Sequence, residues 1–166
     1  MNDESCMRLA IEAALEAQAI GEVPIGAVIV RDGQVIGRGF NRRESWRDPT
    51  AHAEMIAIRQ ASETLGGWRL PGTTMYVTLE PCPMCAGAMM LARIERLVFG
   101  VRDPKGGCVG SIYNLVQEPR FNHRLEVTEG VLAEECGALL KNFFRNLRSK
   151  RGEMAELVDC ARLESE

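Results

Sequence analysis

The sequence predicts an α/β protein in which helices and strands alternate around a partly parallel sheet. Two observations support that fold class. The spacing of apolar residues switches repeatedly between the period of a helix and that of a strand along the 166 residues. The predicted strands are separated by predicted helices, and this order of elements builds a sandwich of helices packed on a sheet.

The first 40 residues predict a helix and a hairpin. The helix is indicated by apolar side chains at helical spacing: Met7, Ala10, Ile11, Ala14 and Leu15. Gly21 provides a stop for this helix. Residues 25–40, IGAVIVRDGQVIGRGF, then contain two β-branched runs on either side of Asp32-Gly33, a dipeptide typical of hairpin turns.

The middle of the chain alternates between the two kinds of element. We predict a helix from about Thr50 to Leu65, a strand at 73–79, a short helix from Cys82 to Leu91, and a strand at 94–101.

A looser region at 102–123 then leads to RLEVTEG and a final helix. The apolar face of that helix consists of Leu132, Cys136, Leu139, Leu140, Phe143 and Leu147.

Composition indicates a globular protein, with 46% hydrophobic and 26% charged residues. No apolar run approaches the roughly 20 residues that a membrane-spanning helix needs. The N-terminus, MNDESCMRLAIEAALEA, is acidic where a signal peptide is basic, so we expect a cytoplasmic protein with no membrane association. Of the six cysteines only Cys82 and Cys85 are close in sequence, which favours reduced thiols over a disulfide framework.

Charge is unevenly distributed near the C-terminus. The formal net charge is −3, yet residues 141–151, KNFFRNLRSKR, contain five basic residues and no acidic one. Residues 152–166 contain five acidic residues and one arginine. We therefore predict one domain over residues 1–151, ending in a basic stripe, and an acidic tail over 152–166 that is disordered or forms a short helix.

Two short motifs contain residues typical of metal sites. His52, one of two histidines in the chain, stands two residues before Glu54, and Cys82 and Cys85 are separated by two residues. Zinc accepts both thiolate and imidazole ligands, and a CxxC spacing lets both sulfurs reach one tetrahedral ion. The cysteines lie between a predicted strand and a predicted helix, and a helix N-terminus favours the thiolate form.

Three protein ligands leave the fourth zinc position free for water, which is typical of catalytic rather than structural zinc. Such a water needs a proton acceptor, and the leaving group needs a proton donor. Glu54 can serve as both. His52 and Glu54 can reach the same site only from the first turn of a helix, because an i, i+2 pair diverges farther along. The spacing also differs from the HExxH of zinc proteases.

Each motif alone has another reading. A CxxC pair between a strand and a helix is also typical of thioredoxin-like redox sites, and most HxE pairs are solvated surface residues. Together with Pro81, however, the motifs form HxE and PCxxC, the signature of zinc-dependent nucleobase deaminases. The combined pattern favours a catalytic zinc site.

The sequence also resembles a known family. It is similar to the bacterial tRNA adenosine deaminases of the TadA type, within the cytidine deaminase-like superfamily, over nearly its whole length to about residue 150. The blocks that carry the resemblance are GEVPIGAVIV, NRRESWRDPTAHAEM, TLEPCPMCAGAMM, RLVFGVRDPKGG, FNHRLEVTEG and ECGALLKNFFR. The superfamily is marked by HxE and PCxxC, and the flanking blocks indicate the tRNA-acting branch.

The resemblance implies roles for individual residues. The zinc ligands, one ion per subunit, correspond to His52, Cys82 and Cys85. Glu54 corresponds to the proton shuttle, and Asn41 to the asparagine that hydrogen-bonds the bound base. An apolar pocket wall is implied at Val23, Pro24 and Ile25. Contacts with the anticodon loop are implied at Asp103, His123, Phe144 and Arg145.

The resemblance further implies a three-layer sandwich with a central five-stranded mixed sheet, and a homodimer in which the tRNA anticodon stem-loop contacts both subunits. The expected reaction converts adenosine to inosine at the wobble position, with arginine tRNA as the expected substrate. A base must leave its stack to reach the zinc site, and a single-stranded loop makes that easy. Phe143 is either a core residue or, like Phe144, a stacking surface for RNA.

Two other functions stay open from the sequence. A zinc deaminase of a free base or nucleoside, such as guanine, cytosine or cytidine, would share every metal residue but would not need the basic stripe. A non-catalytic protein stabilised by zinc is the third reading, and Glu54 argues against it because a structural site needs no general acid or base.

Overall fold

The structure, a computed structural model, describes residues 1–163. Within these residues, helices lie on both faces of one five-stranded sheet. The helices are α1 (Asp3–Ala19), α2 (Ala53–Leu65), α3 (Pro83–Leu91) and α4 (Ala133–Leu163). The strands are β1 (Gly26–Arg31), β2 (Gln34–Phe40), β3 (Thr73–Leu79), β4 (Arg96–Val101) and β5 (Glu126–Glu129).

The strands form a mixed sheet in the order β2-β1-β3-β4-β5. β1 is antiparallel to β2 and β3, whereas β3, β4 and β5 run parallel. In the turn between β1 and β2, Asp32 and Gly33 have φ angles of 50° and 73°. Two successive positive φ angles define the type I′ turn that Asp-Gly favours. The predicted hairpin and the predicted three-layer α/β sandwich are both confirmed.

Successive strand residues face opposite sides of the sheet, so two separate apolar layers form. Helices α2 and α3 cover the layer that contains Ile29 and Phe99. Helices α1 and α4 cover the layer that contains Val28 and Cys136. In the predicted apolar face of the last helix, Cys136 is fully buried and the positions after it are half-buried: Leu139, Leu140, Phe143 and Leu147.

The strand directions bring several chain segments to one edge of the sheet. Because β1 alone among the first four strands runs the opposite way, its amino end lies beside the carboxyl ends of β2, β3 and β4. Residues 23–25, 41–52, 80–83 and 102–111 therefore meet at this edge. The carboxyl edge of the sheet is where ligands bind in many open α/β proteins.

Helix α2 packs directly on the backbone of β2. A Cβ atom added at Gly37 would lie 2.3 Å from the carbonyl oxygen of Ala57, and one at Gly39 would lie 2.3 Å from that of Ala53. Both distances are far below van der Waals contact, so only glycine allows this approach. The two glycines fix the distance between the first turns of α2 and the sheet.

The last helix is longer than its apolar face predicts. It runs through Leu163, so residues 152–163 continue α4, and the predicted boundary after residue 151 falls inside a helix. Residues 164–166 of the predicted tail lie outside the described residues. Across residues 1–163, every helix is too short or too polar to span a lipid bilayer.

Candidate active site and metal centre

Two helix N-termini meet at the edge of the sheet and bring the two motifs together. His52 is the N-cap of α2 and has an extended backbone, with φ −79° and ψ 152°. Cys82 is the N-cap of α3, where Pro83 occupies the first turn and the Cys82 sulfur accepts the backbone N–H of Cys85 at 3.5 Å. Each helix thus begins at a candidate ligand. The two helices start close together because the strands that precede them, β2 and β3, end at the same edge of the sheet.

The ligand atoms of His52, Cys82 and Cys85 form a compact group. The Nδ1 atom of His52 lies 3.5 Å from each cysteine sulfur, and all three ligand atoms are within 4.8 Å of one another. This group of one imidazole and two thiols could hold a metal ion. Cys108 is not part of this group, and its side chain is buried in the core.

The environment of the two cysteines favours one thiolate. The pKa of Cys82 falls to about 4, chiefly because the Cys85 thiol donates a hydrogen bond to its sulfur and also because of His52, against the effect of burial. That hydrogen bond and burial raise the pKa of Cys85. Thiolate is the form that binds metal, so the donor set fits zinc, for which one imidazole and two thiolates are ordinary ligands.

Glu54 lies in the first turn of α2, as the i, i+2 spacing requires, and is 4% exposed. Burial raises the pKa of its carboxyl group, against the effect of a hydrogen bond with Cys85. A carboxyl group whose pKa lies closer to neutrality exchanges protons more readily at physiological pH. The geometry therefore places a proton-transfer group directly beside the ligand group.

A cavity of about 290 Å³ opens over this group. Five residues that the resemblance assigned to substrate line it: Val23, Ile25, Asn41, Asp103 and Phe144. The volume lies at the small end of ligand pockets, which span roughly 300–1,000 Å³. The cavity thus combines an apolar wall, an amide and a carboxyl group around the candidate metal site.

Asn41 connects the apolar wall to the segment before α2. Its Nδ2 donates to the carbonyl oxygen of Val23 at 3.3 Å, and its Oδ1 accepts the N–H of Arg43 at 3.1 Å. Each of these amide atoms has a second hydrogen-bonding position. A bound base can therefore use Asn41 as donor and acceptor while the side chain stays fixed.

Three of the assigned residues do not line the cavity. Pro24 is buried between two residues that do. Arg145 lies in an adjoining groove. The Nε2 of His123 donates to the carbonyl oxygen of Ile94 at 2.7 Å, away from the residues that line the cavity.

The adjoining groove is basic. It has a volume of about 500 Å³ and is lined by Lys105, Leu140, Lys141, Phe144, Arg145 and Arg148. Phe144 is shared with the cavity, so the groove begins at the mouth of the cavity. Phe144 is 41% exposed, and the half-buried ring of Phe143 meets it edge-on at 5.4 Å. We call this surface the basic groove.

Sequence reasoning missed two buried carboxylates near the cavity. Glu22 is 1% exposed and accepts the N–H groups of Ser45 at 2.7 Å and Glu44 at 3.3 Å, which holds the segment before His52. Glu80 is 2% exposed, lines the cavity, and accepts hydrogen bonds from residues 103–111. A charged residue between an apolar strand and Pro81 was the available signal for Glu80.

Comparison with known proteins identifies the class. The family described as MafB19-like deaminase matches residues 1–148. The mixed sheet and the ligand group at two helix N-termini agree with that match, so fold and site define a deaminase of the cytidine deaminase-like type.

Individual relatives narrow the class further. The tRNA-specific adenosine deaminase of Bacillus subtilis (strain 168) is 58% identical over 149 residues, covering 90% of this chain and 92% of the relative. The chain belongs to the family of bacterial tRNA adenosine deaminases. A solved structure from a study of A-to-I editing by tRNA:A34 deaminases at the wobble position matches with a TM-score of 0.79 and 48% identity, covering 82% of this chain and 99% of that one.

A more distant similarity involves a different substrate. The structure of a guanine deaminase from Nitrosomonas europaea matches with a TM-score of 0.70 and 26% identity, covering 84% of this chain and 83% of that one. The fold is therefore shared with a protein named for a free base.

Proposed function

We propose that this protein is a zinc-dependent hydrolase that converts adenosine to inosine at the wobble position of a tRNA anticodon. The observation that carries the proposal is the buried Glu54 carboxyl group beside the ligand group of His52, Cys82 and Cys85, in a cavity that opens into the basic groove. Chemistry on a single flipped base and binding of a phosphate backbone are thus available on one surface.

One zinc ion per subunit would be held by His52, Cys82 and Cys85. When bound, zinc supplies an activated water, because it lowers the pKa of a coordinated water to about 7. Glu54 accepts a proton from the attacking water and delivers it to a ring nitrogen of adenine, while the water oxygen bonds to the carbon that carries the amino group. Glu54 then accepts the remaining proton of that oxygen and passes it to the amino group, which leaves as ammonia as the C=O bond of inosine forms. One water is consumed in all.

The cavity wall would hold the flipped base. Val23 and Ile25 offer an apolar surface to one part of the ring, and Asn41 offers hydrogen bonds to its polar edge. Phe144, at the mouth of the cavity, can stack on a neighbouring base. A single-stranded anticodon loop suits this arrangement, because its bases can leave the stack at low cost.

The basic groove would bind the phosphates that flank the flipped nucleotide. Lys141, Arg145 and Arg148 lie along one side of α4, and Lys105 approaches from the segment at residues 103–111. Lysine and arginine contacts with phosphate supply affinity and fix the register of a nucleic acid without reading its sequence. This groove supports a polynucleotide substrate over a free base.

We further propose arginine tRNA as the substrate, a homodimer as the active unit, and the cytoplasm as its location. A tRNA substrate is supported by the resemblance of the sequence blocks to the tRNA-acting branch of the family. Large exposed apolar side chains, among them Trp68, Leu91 and Tyr113, supply surface that a second copy of the chain could cover.

The test is nucleoside mass spectrometry after incubating the zinc-loaded protein with an arginine-tRNA anticodon stem-loop that has adenosine at the wobble position. Inosine at that position is the expected result. Guanine, cytosine, cytidine and adenosine as free compounds serve as competing substrates. Turnover of a free compound with an unchanged stem-loop would replace the proposal with the free-base alternative.

A matched variant tests the role of Glu54. Glu54→Gln keeps the size of the side chain but cannot exchange a proton, so zinc content should stay near that of the wild type while turnover falls by about 10²-fold or more. Zinc content is measured by atomic absorption on the protein used in the assay. Full activity of Glu54→Gln would remove this residue from the mechanism.

A further inference from the structure

Glu80 is a buried carboxylate that the proposed chemistry does not use. It follows the last residue of β3 and precedes Pro81, and it is 2% exposed. Its backbone N–H donates to the carbonyl oxygen of Val101 at 2.9 Å, which fixes its position against the end of β4. A buried charge is costly unless hydrogen bonds replace its hydration, so its partners are informative.

The carboxylate oxygens of Glu80 accept hydrogen bonds from one segment, residues 103–111, which we call the 103–111 loop. Oε1 accepts the N–H of Asp103 at 3.0 Å and the Ser111 hydroxyl. Oε2 accepts the N–H groups of Val109 at 3.0 Å and Ser111 at 3.1 Å. The carboxylate therefore holds both ends of the loop from inside.

The loop is wrapped closely around this carboxylate. A Cβ atom added at Gly107 would lie 2.3 Å from the carboxyl carbon of Glu80. The next residue, Cys108, donates its N–H to the carbonyl oxygen of Pro81 at 2.8 Å. The loop is thus also tied to the segment that leads directly into Cys82.

The 103–111 loop supplies residues to both substrate surfaces. Asp103 lines the cavity, and Lys105 lines the basic groove. The Oδ1 of Asp103 accepts the N–H groups of Lys105 at 3.0 Å and Gly106 at 3.2 Å, so the two residues move as a unit. Glycines in the loop make its backbone intrinsically flexible, and an internal anchor restricts that freedom.

We infer that Glu80 is a positioning residue that sets the 103–111 loop, and with it Asp103 and Lys105, against the bound RNA. This inference rests on the proposed function for the identity of the RNA. Cys108 and Val109 are buried in the core and also hold the middle of the loop. Loss of the carboxylate should therefore release the ends of the loop, where Asp103 lies, before it affects the middle.

Glu80→Gln makes a specific prediction, because one carboxylate oxygen becomes an NH₂ group. At the Oε2 position that group would face two backbone N–H donors, from Val109 and Ser111. At the Oε1 position it would face the N–H of Asp103 and a Ser111 hydroxyl that can rotate to accept. The second orientation leaves one donor without a partner, so the variant should free the N–H of Asp103 and retain the other two bonds.

Hydrogen exchange measured by NMR tests this asymmetry. In Glu80→Gln, exchange of the Asp103 amide should rise about tenfold or more, with smaller changes at Val109 and Ser111 and none at Ile29 in the core. Glu95→Gln is the matched control, because Glu95 is exposed and accepts the N–H of Gly72 at 3.0 Å, far from the cavity. Unchanged exchange at Asp103, or a rise shared with Ile29, would overturn the inference.

Kinetics with the stem-loop separate positioning from loss of folded protein. KM should rise roughly tenfold in Glu80→Gln, because Asp103 and Lys105 lose their fixed placement. The value of kcat should change less, since the group of metal ligands and Glu54 lie at the N-terminal ends of α2 and α3. An unchanged KM with a lower kcat would overturn the positioning role.

A second variant reaches the loop without altering the carboxylate. Gly107→Ala should raise KM and Asp103 exchange in the same direction, because the added methyl group and the Glu80 carboxyl group cannot occupy the same space. Gly67→Ala, where nothing lies within 4 Å of the added carbon, is its control. Wild-type protein that makes no inosine would refute the proposed function instead, and the exchange experiment would still decide whether Glu80 anchors the loop.

Discussion

Substitution of Gly39 by alanine should impair zinc binding and turnover more than it lowers the free energy of unfolding, because it displaces the first turn of α2. The added Cβ would lie 2.3 Å from the carbonyl oxygen of Ala53 and 2.9 Å from the backbone nitrogen of Ala57. Ordinary contacts begin near 3.4 Å. The first turn of α2 must therefore move away from β2 by about 1 Å, a shift comparable to those that disturb catalytic sites.

The expected size of the effect of Gly39→Ala depends on the residues beside this turn. Overpacking of this kind costs about 1–3 kcal/mol of unfolding free energy. His52 is adjacent to Ala53, and metal sites tolerate displacements of only about 0.2 Å in ligand distance. We therefore expect zinc affinity to fall at least tenfold and turnover to fall by roughly 100-fold, more than the loss of stability explains.

Gly37→Ala provides the matched control. Its added Cβ would lie 2.3 Å from the carbonyl oxygen of Ala57, the same conflict one helical turn farther from His52. Both variants are assayed by thermal unfolding and by competition for zinc with a chromophoric chelator. Similar unfolding midpoints with weaker zinc binding in Gly39→Ala are expected. Equal zinc affinity in the two variants would refute the reasoning.

Three other predictions concern the acidic end of α1, the basic groove and the metal. Arg96 hydrogen-bonds both carboxylate oxygens of Asp3 at 2.8 Å and lowers the pKa of Asp3. A lowered pKa gives stability above the unfolded value, near 3.9, that is lost as pH falls through the folded value. Asp3→Asn should therefore cost about 1 kcal/mol at pH 7 in thermal unfolding, and its difference from the wild type should shrink as the pH falls through the lowered pKa of Asp3; a difference that persists undiminished in acid would contradict this account. Replacing Lys141, Arg145 and Arg148 with glutamine should reduce the slope of log K against log salt for the stem-loop by about 2, and an unchanged slope would show that phosphates bind elsewhere. Removal of metal by a chelator should abolish turnover and lower the unfolding temperature, both restored by added zinc, whereas full activity after verified metal removal would refute the zinc mechanism.

Much of the fold follows from local patterns in the sequence. The β-branched runs on either side of Asp32-Gly33 predict the hairpin, because turn chemistry and side-chain alternation are local properties. The pairing of β1 with β3 is different. It joins segments separated by α2, and an apolar pattern indicates which face is buried but not which strand is the neighbour.

The ligand group could also be predicted, because few chemistries require HxE and PCxxC together. The partners of Glu80 could not, since most of them are backbone N–H groups of the 103–111 loop, which every residue except proline possesses. The direction of a half-buried side chain is equally hidden. His123 donates to the carbonyl oxygen of Ile94, a contact that depends on how a distant segment packs.

The sequence contains one signal that α4 continues beyond residue 151 and one that argues against it. Met154, Leu157 and Val158 follow helical spacing within the acidic tail, and all three are exposed in the structure. Their period indicates a helix, whereas the acidic composition indicates a solvated segment. The structure agrees with both signals, because these three residues are helical and their side chains are exposed.

The strand order has a consequence for the maturation of the enzyme. His52 and Cys82 are 30 residues apart and begin helices that follow β2 and β3, two strands that are separated in the sheet by β1. The ligand set is preformed only in a chain whose hairpin has paired with β3. An ion bound before that point must also bring His52 and the cysteine pair together. Capture of metal at full affinity would therefore mark the completion of folding in the first half of the chain, and a bound ion would act as a cross-link that keeps this half closed.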